Sequence, residues 1–188
     1  LSLKHITKIY GNTRALDDVS ISFEKGEVHA IIGENGAGKS TFIKTLSGAI
    51  KPTSGTITIE GKTYDHLEPN QAIELGVAVV YQELIQFEAM TVADNIFMGV
   101  KDEKGFFVNE KDRIKRSKEV LKVFDCNVNP KKLIRELSIA NRQIVELAKA
   151  LVRNAKVIVM DEPTAAITLA EQEKLYQVVK DLKAKGIT

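Results

Sequence analysis

The sequence predicts an α/β fold with an antiparallel β segment at its start and an all-helical insertion in its second half. Three observations carry that prediction. Short, almost wholly apolar runs at residues 28–32, 77–81 and 156–160 suit strands buried on both faces. The first run leads into a glycine-rich loop and then into helical spacing, the strand–loop–helix order of an α/β unit. Residues 84–136, by contrast, carry no strand signal.

Taken in order, residues 1–10 mix apolar and polar side chains in rough alternation, as an exposed antiparallel strand does. Gly11-Asn12 turns the chain. Residues 15–24 repeat the pattern with Leu16, Val19, Ile21 and Phe23 apolar, so a β subdomain is expected within residues 1–75. Tyr10 is the only aromatic of the first strand. Two readings stand for it: a packing residue at a strand edge, or a ring on which adenine stacks.

Lys25-Gly26 turns the chain into Val28-His29-Ala30-Ile31-Ile32, and Gly33-Glu34-Asn35-Gly36-Ala37-Gly38-Lys39-Ser40-Thr41 follows. This is the P-loop pattern, G-x-x-x-x-G-K-S. A triphosphate crowds negative charge onto a few oxygens, and holding it requires many N–H donors aimed at one spot. Gly33, Gly36 and Gly38 permit the tight curl and close backbone approach, because no Cβ intrudes. Lys39 adds a point charge for the β- and γ-phosphates, and Ser40 a hydroxyl for Mg²⁺. The helix that starts near Lys39 points its positive dipole end at the anion. Phe42, Ile43 and Leu46 give that helix an apolar face, and Gly48 stops it.

Pro52-Thr53-Ser54-Gly55 turns into the strictly alternating strand Thr56-Ile57-Thr58-Ile59-Glu60. Residues 69–75 read as a short helix, with Pro69 at its start and Gly76 after its end. The apolar run 77–81 then ends in Gln82-Glu83. Ligands of α/β sheets lie at the carboxyl ends of strands. Gln82 is therefore either a polar residue closing a strand or a side chain reaching Mg²⁺ or an attacking water.

A helical subdomain is expected over about residues 84–150. Thr91 is placed to cap a short helix. Residues 109–124 make a longer one, with Ile114, Val120, Leu121, Val123 and Phe124 apolar and a solvated charged face. Met90, Phe97, Met98, Phe106 and Phe107 either pack this subdomain or form a docking surface. Ser138 caps a strong helix whose apolar face is Ile144, Val145, Leu147, Ala148 and Leu151. Asn154 ends it, and Lys156-Val157-Ile158-Val159-Met160 is a buried strand capped by Asp161-Glu162. Two acids there are costly unless solvated, paired or metal-bound. Downstream of a P-loop, Asp161 suits Mg²⁺, as the Walker B acid, and Glu162 suits polarising a water for in-line attack. Residues 169–185 form the last helix, with Leu175, Val178, Val179 and Leu182 inward and Gly186 stopping it.

Composition bounds the rest. The chain has 188 residues, 44% hydrophobic and 28% charged, with a net charge of +2, too small to argue for a nucleic-acid partner. Cys126 is the one cysteine, so no internal disulfide forms. No apolar run reaches bilayer-spanning length and no signal peptide opens the chain, which fits a soluble, cytosolic piece.

P-loop and Walker B together define only a P-loop NTPase. Leu137-Ser138-Ile139-Ala140-Asn141-Arg142-Gln143 ahead of Asp161-Glu162-Pro163-Thr164 is more specific. This order resembles the ATP-binding cassette (ABC) transporter ATPases over essentially the whole chain. The resemblance implies an ABC ATPase core that uses ATP and Mg²⁺ and hydrolyses ATP. It makes Tyr10 the adenine-stacking aromatic, Gln82 the glutamine joining the metal site to a membrane permease, and Glu162 the catalytic carboxylate. Mg²⁺ would be held by Ser40, Gln82 and Asp161. The family's Leu-Ser-Gly-Gly-Gln stands here as Leu137-Ser138-Ile139-Ala140-Asn141, and Thr168 stands where an aspartate is usual. Both variants look like the first cassette of bacterial monosaccharide importers of the ribose/galactose/xylose type. Ser138, Ile139, Ala140 and Asn141 would then contact the ATP of a second cassette, in the same polypeptide or a dimer.

The resemblance further implies permease subunits as partners, a sugar-binding protein indirectly, and a place on the cytoplasmic face of the membrane. The family's switch histidine is expected beyond Thr188, since His5, His29 and His66 all lie far upstream. The 188 residues are therefore read as one truncated cassette that binds nucleotide and hydrolyses it weakly alone. Two alternatives stand beside this reading: a regulatory cassette that binds ATP without turnover, and a soluble ABC ATPase outside transport.

Overall fold

The computed structural model describes residues 1–100, 109–165 and 167–188. Phe106 and Phe107 lie outside them. The chain divides into two compact units, Leu1–Val79 with Ala155–Asp161 and Leu182–Thr188, and Val80–Asn154 with Glu162–Asp181.

In the first unit, β1 (Ser2–Tyr10) and β2 (Thr13–Ser22) form a hairpin, and β3 (Ser54–Ile59) and β4 (Lys62–Tyr64) complete an antiparallel sheet in the order β2-β1-β3-β4. Leu3, Ile6 and Ile57 point inward, each fully buried; Leu3 and Ile6 reach the same face across three residues because the register of β1 shifts between them, with His5 at φ +55°. Helix α1 (Lys39–Leu46) sets Phe42 and Leu46 into the same core. Burying two such side chains contributes about 1.5–3 kcal/mol each, and it fixes the helix that carries the glycine-rich loop. Helix α2 (Pro69–Glu74) begins at Pro69, and the Gln71 side chain reaches back to the Glu68 amide at 3.3 Å.

Strands β5 (Val77–Val80) and β6 (Val157–Met160) pair with each other. The third expected apolar strand does not form. Residues 28–32 take no place in either sheet among the described residues, and Val28, Ile31 and Ile32 are 58%, 42% and 92% exposed. An apolar run becomes a strand only where a neighbour supplies the ladder. Among the described residues none supplies it to residues 28–32. Thr188 lies along β6: its carbonyl accepts from the Ile158 amide at 2.8 Å and its amide donates to the Lys156 carbonyl at 2.9 Å. Its hydroxyl accepts from the Gly26 amide and donates to the Glu24 carbonyl, both at 3.0 Å.

The second unit is helical. It contains α3 (Val92–Phe97), α4 (Glu110–Lys122), a 3₁₀ turn (Ile134–Glu136), α5 (Ile139–Val152) and most of α6 (Leu169–Ala184). Thr91, Asn109 and Ser138 cap α3, α4 and α5 by accepting from the amides of Asp94, Asp112 and Asn141. Helices α3, α4 and α5 pack on one another, burying Ile96, Phe97, Leu121, Val145 and Leu147. Phe97 is therefore core, with the Arg116 guanidinium 4.6 Å from its ring centroid. The buried Asn95 amide donates to the carbonyls of Phe87 and Thr91 and accepts from the Phe87 amide, so every polar atom it buries is satisfied.

Candidate functional site

In the first unit the glycine-rich loop sits at the head of α1. Gly38 is the N-cap with φ +92°, and no side chain caps the helix behind it. A Cβ on Gly38 would lie 2.3 Å from the Ala15 carbonyl oxygen of β2, so the loop rests directly on strand backbone and only glycine fits. Gly36 also takes a positive φ, +85°, facing open space. The first turn of α1 holds no acidic residue. Its orphan N–H groups and dipole are thus unneutralised, the condition that attracts an anion.

Lys39 is half-buried and folds back on its own loop, donating to the carbonyls of Gly33 at 2.6 Å and Glu34 at 2.9 Å. Its charge is thereby held beside the uncapped amides. Glu34, Asn35, Gly36 and Ala37 are exposed, and the Ala37 amide closes the loop on the Glu34 carbonyl at 3.1 Å. Ser40 is exposed and Thr41 half-buried in the first helical turn. Asp161 follows β6, half-buried, within the same unit. Tyr10 ends β1, 44% exposed, with Lys8 Nζ 5.0 Å from its ring centroid. Lys8 is itself fixed by donating to the Lys51 carbonyl at 2.7 Å.

Gln82, Glu162 and the segment 138–141 belong to the second unit. Ser138 and Ile139 are exposed at the start of α5, where no acid occupies the first turn. The Ser138 hydroxyl accepts from the Asn141 amide at 3.4 Å, and Asn141 Oδ1 accepts the buried Cys126 thiol at 3.8 Å. Burial pushes the Cys126 thiol pKa up, which keeps it protonated as a weak donor. Glu162 is exposed and takes φ +45°, a conformation that costs a non-glycine residue on the order of 1–3 kcal/mol.

Sequence reasoning missed the ties that hold these segments. Gln143 Nε2 donates to the Pro163 carbonyl at 2.9 Å, beside Glu162. Arg142 pairs with Glu88 at 2.7 Å, and Gln86 Nε2 donates to the Arg142 carbonyl at 2.8 Å. Gln143 stood in the quoted motif, but spacing alone names no partner 20 residues away.

The donors offered fit a polyphosphate with a hard cation. Within the first unit the loop supplies N–H groups and an ammonium, while Ser40 and Asp161 carry oxygen donors of the kind Mg²⁺ prefers.

The sequence profile of a family described as "ABC transporter" matches residues 16–165. Among curated relatives, the chain is 40% identical over 188 residues to the galactose/methyl galactoside import ATP-binding protein of Clostridium perfringens, covering 100% of this chain and 36% of that protein. It is 41% identical over 190 residues to the xylose import ATP-binding protein of Geobacillus kaustophilus, covering 100% of this chain and 38% of that one. The chain thus spans little more than a third of the curated relatives it matches. Among solved structures, an ATP-binding cassette in a dimeric post-hydrolysis state bound to ADP and Pi superposes with a TM-score of 0.84 at 28% identity, covering 100% of this chain and 84% of that one. Among the described residues, no helix is long and apolar enough to cross a membrane.

Proposed function

Because the chain belongs to the ABC transporter family, we propose that it is an ATP-binding and ATP-hydrolysing cassette that energises import of a monosaccharide. The observation that carries this reading is the head of α1: uncapped amides behind Gly38, with the Lys39 ammonium held against them. The curated relatives' names, which specify import of galactosides and xylose, support the sugar class.

On this reading, Lys39 exchanges the carbonyls of Gly33 and Glu34 for phosphate oxygens when nucleotide arrives. Two neutral acceptors give way to charged ones, so the exchange is favourable where water is excluded. Adenine stacks on the face of Tyr10 away from Lys8. Ser40, Gln82 and Asp161 would hold Mg²⁺, which would supply positive charge against the phosphates. Glu162 accepts a hydrogen bond from the attacking water and takes its proton as the γ-phosphate departs.

A second cassette covers the γ-phosphate with its copy of the segment 138–141, and the dimeric state of a solved cassette supports that partner. The Ser138 hydroxyl and the α5 N-terminus remain for this contact. Ile139 and Ala140, where the family has glycines, hold the backbone further off. That departure favours a second reading, a cassette that binds ATP while another hydrolyses it. Residues 84–150 serve as the helical subdomain and 1–75 contain the β subdomain. Gln82 passes closure to permease subunits at the cytoplasmic face of the membrane, and a sugar-binding protein supplies the sugar beyond it.

The test is uptake. With its permease in sealed vesicles, the full-length protein should accumulate labelled galactose, ribose or xylose only when ATP faces it. The Lys39→Ala protein should accumulate none. Uptake that proceeds without ATP, or that survives the substitution, would overturn the proposal.

A further inference from the structure

We propose that Gln143 is a positioning residue for Glu162, acting through the carbonyl of Pro163. The inference rests on reading Glu162 as the water-polarising carboxylate, and it adds how that carboxylate is aimed.

Glu162 sits at φ +45°, outside the region a non-glycine residue adopts freely. Such a conformation persists only where its surroundings over-determine it. One hold is local: the Ala165 amide donates to the Glu162 carbonyl at 3.2 Å and closes the turn. The other is long-range. Gln143 Nε2 donates to the Pro163 carbonyl at 2.9 Å in a part-buried setting, across 20 residues of sequence. Proline has no N–H, so the carbonyl is the one polar backbone atom Pro163 offers. Because the Glu162–Pro163 peptide is planar and the proline ring fixes φ, holding that carbonyl restrains the backbone on which the Glu162 side chain is mounted.

The support behind Gln143 is rigid. It lies in α5, two residues before the buried Val145 and four before the buried Leu147, in a helix packed on α3 and α4. A directing hydrogen bond is precise when it comes from a packed helix rather than a loop. The same helix carries Ser138 at its N-cap. Any shift of α5 when a partner nucleotide meets Ser138 is therefore transmitted to the turn bearing Glu162, so hydrolysis is sensitive to cassette closure through the hydrogen bond from Gln143 to Pro163.

The test uses the full-length protein with Gln143→Met, which keeps length and removes the donor. Single-turnover hydrolysis should slow by about ten- to a hundredfold, the cost of a small misplacement of a reacting group. ATP affinity and melting temperature should stay at wild-type values. Gln143→Glu sets an acceptor against an acceptor and should lose at least as much, which covers the case in which the methionine variant folds poorly. In a Glu162→Gln background, Gln143→Met should cost nothing more, since there is no carboxylate left to aim.

Wild-type turnover in both Gln143 variants would overturn the inference. So would an equal fold loss in the two backgrounds, or a loss that tracks reduced ATP affinity and melting temperature. If Glu162→Gln alone turns over at the wild-type rate, the reading of Glu162 fails and this inference with it. If Glu162→Gln is inactive while Gln143→Met is unimpaired, only the role of Gln143 falls.

Discussion

The Glu162→Gln protein should bind ATP at least as tightly as the parent and hydrolyse it about 10²–10⁴-fold more slowly, the usual contribution of a general base. The substitution keeps the size of the side chain and its ability to accept a hydrogen bond, so a water can still be placed. What is lost is the negative charge that strengthens that bond as the proton becomes acidic. ATP affinity should not fall, because removing an anion near a polyphosphate lowers repulsion. Glu162 is exposed and outside any helix or strand, so the change leaves the packed core untouched. Equilibrium nucleotide binding and single-turnover hydrolysis on the full-length protein separate the two effects. Hydrolysis at the parent's rate would move the chemistry to another residue.

Lys39→Ala should act on the opposite step. A charge pair at about 4 Å is worth about 4 kcal/mol at an effective dielectric of 20, close to a thousandfold in affinity. Part of that is offset in the parent, since Lys39 must first leave the carbonyls of Gly33 and Glu34. A loss of about a hundred- to a thousandfold in ATP affinity is therefore expected. The fold should survive: Lys39 opens α1 but contributes nothing to its buried face, which is Phe42, Ile43, Thr45 and Leu46. Titration with ATP alongside a melting curve checks both halves. Near-parental affinity would show that the ammonium does not meet the phosphates.

Local chemistry was legible in the sequence because it is written in consecutive residues. The caps Thr91 and Ser138 were readable because each side chain accepts from an amide three residues on, and Asn109, which opens the expected 109–124 helix, caps α4 in the same way. Pro69 marked the start of α2, and the runs 77–81 and 156–160 became β5 and β6 nearly as expected. The features that escaped depend on distant partners. Residues 28–32 have the composition of a buried strand, yet among the described residues no strand pairs with them, and composition cannot say who supplies a ladder. Strand β4 has only three residues and pairs with β3 across the Gly61 turn, too short a run for alternation to register. At the site, the glycines, Lys39 and Asp161-Glu162 announced themselves by residue type. The carbonyls that hold Lys39 and the hold of Gln143 on Pro163 did not, because backbone oxygens look alike in every sequence.

The most direct measurement is a crystal structure of the protein with Mg-ATP. The β- and γ-phosphates should lie against the amides of residues 36–41, with Lys39 Nζ withdrawn from the Gly33 and Glu34 carbonyls onto phosphate oxygens and Asp161 directed at the metal. Nucleotide bound away from the head of α1, or Lys39 still on its own loop with the phosphates in place, would contradict the account.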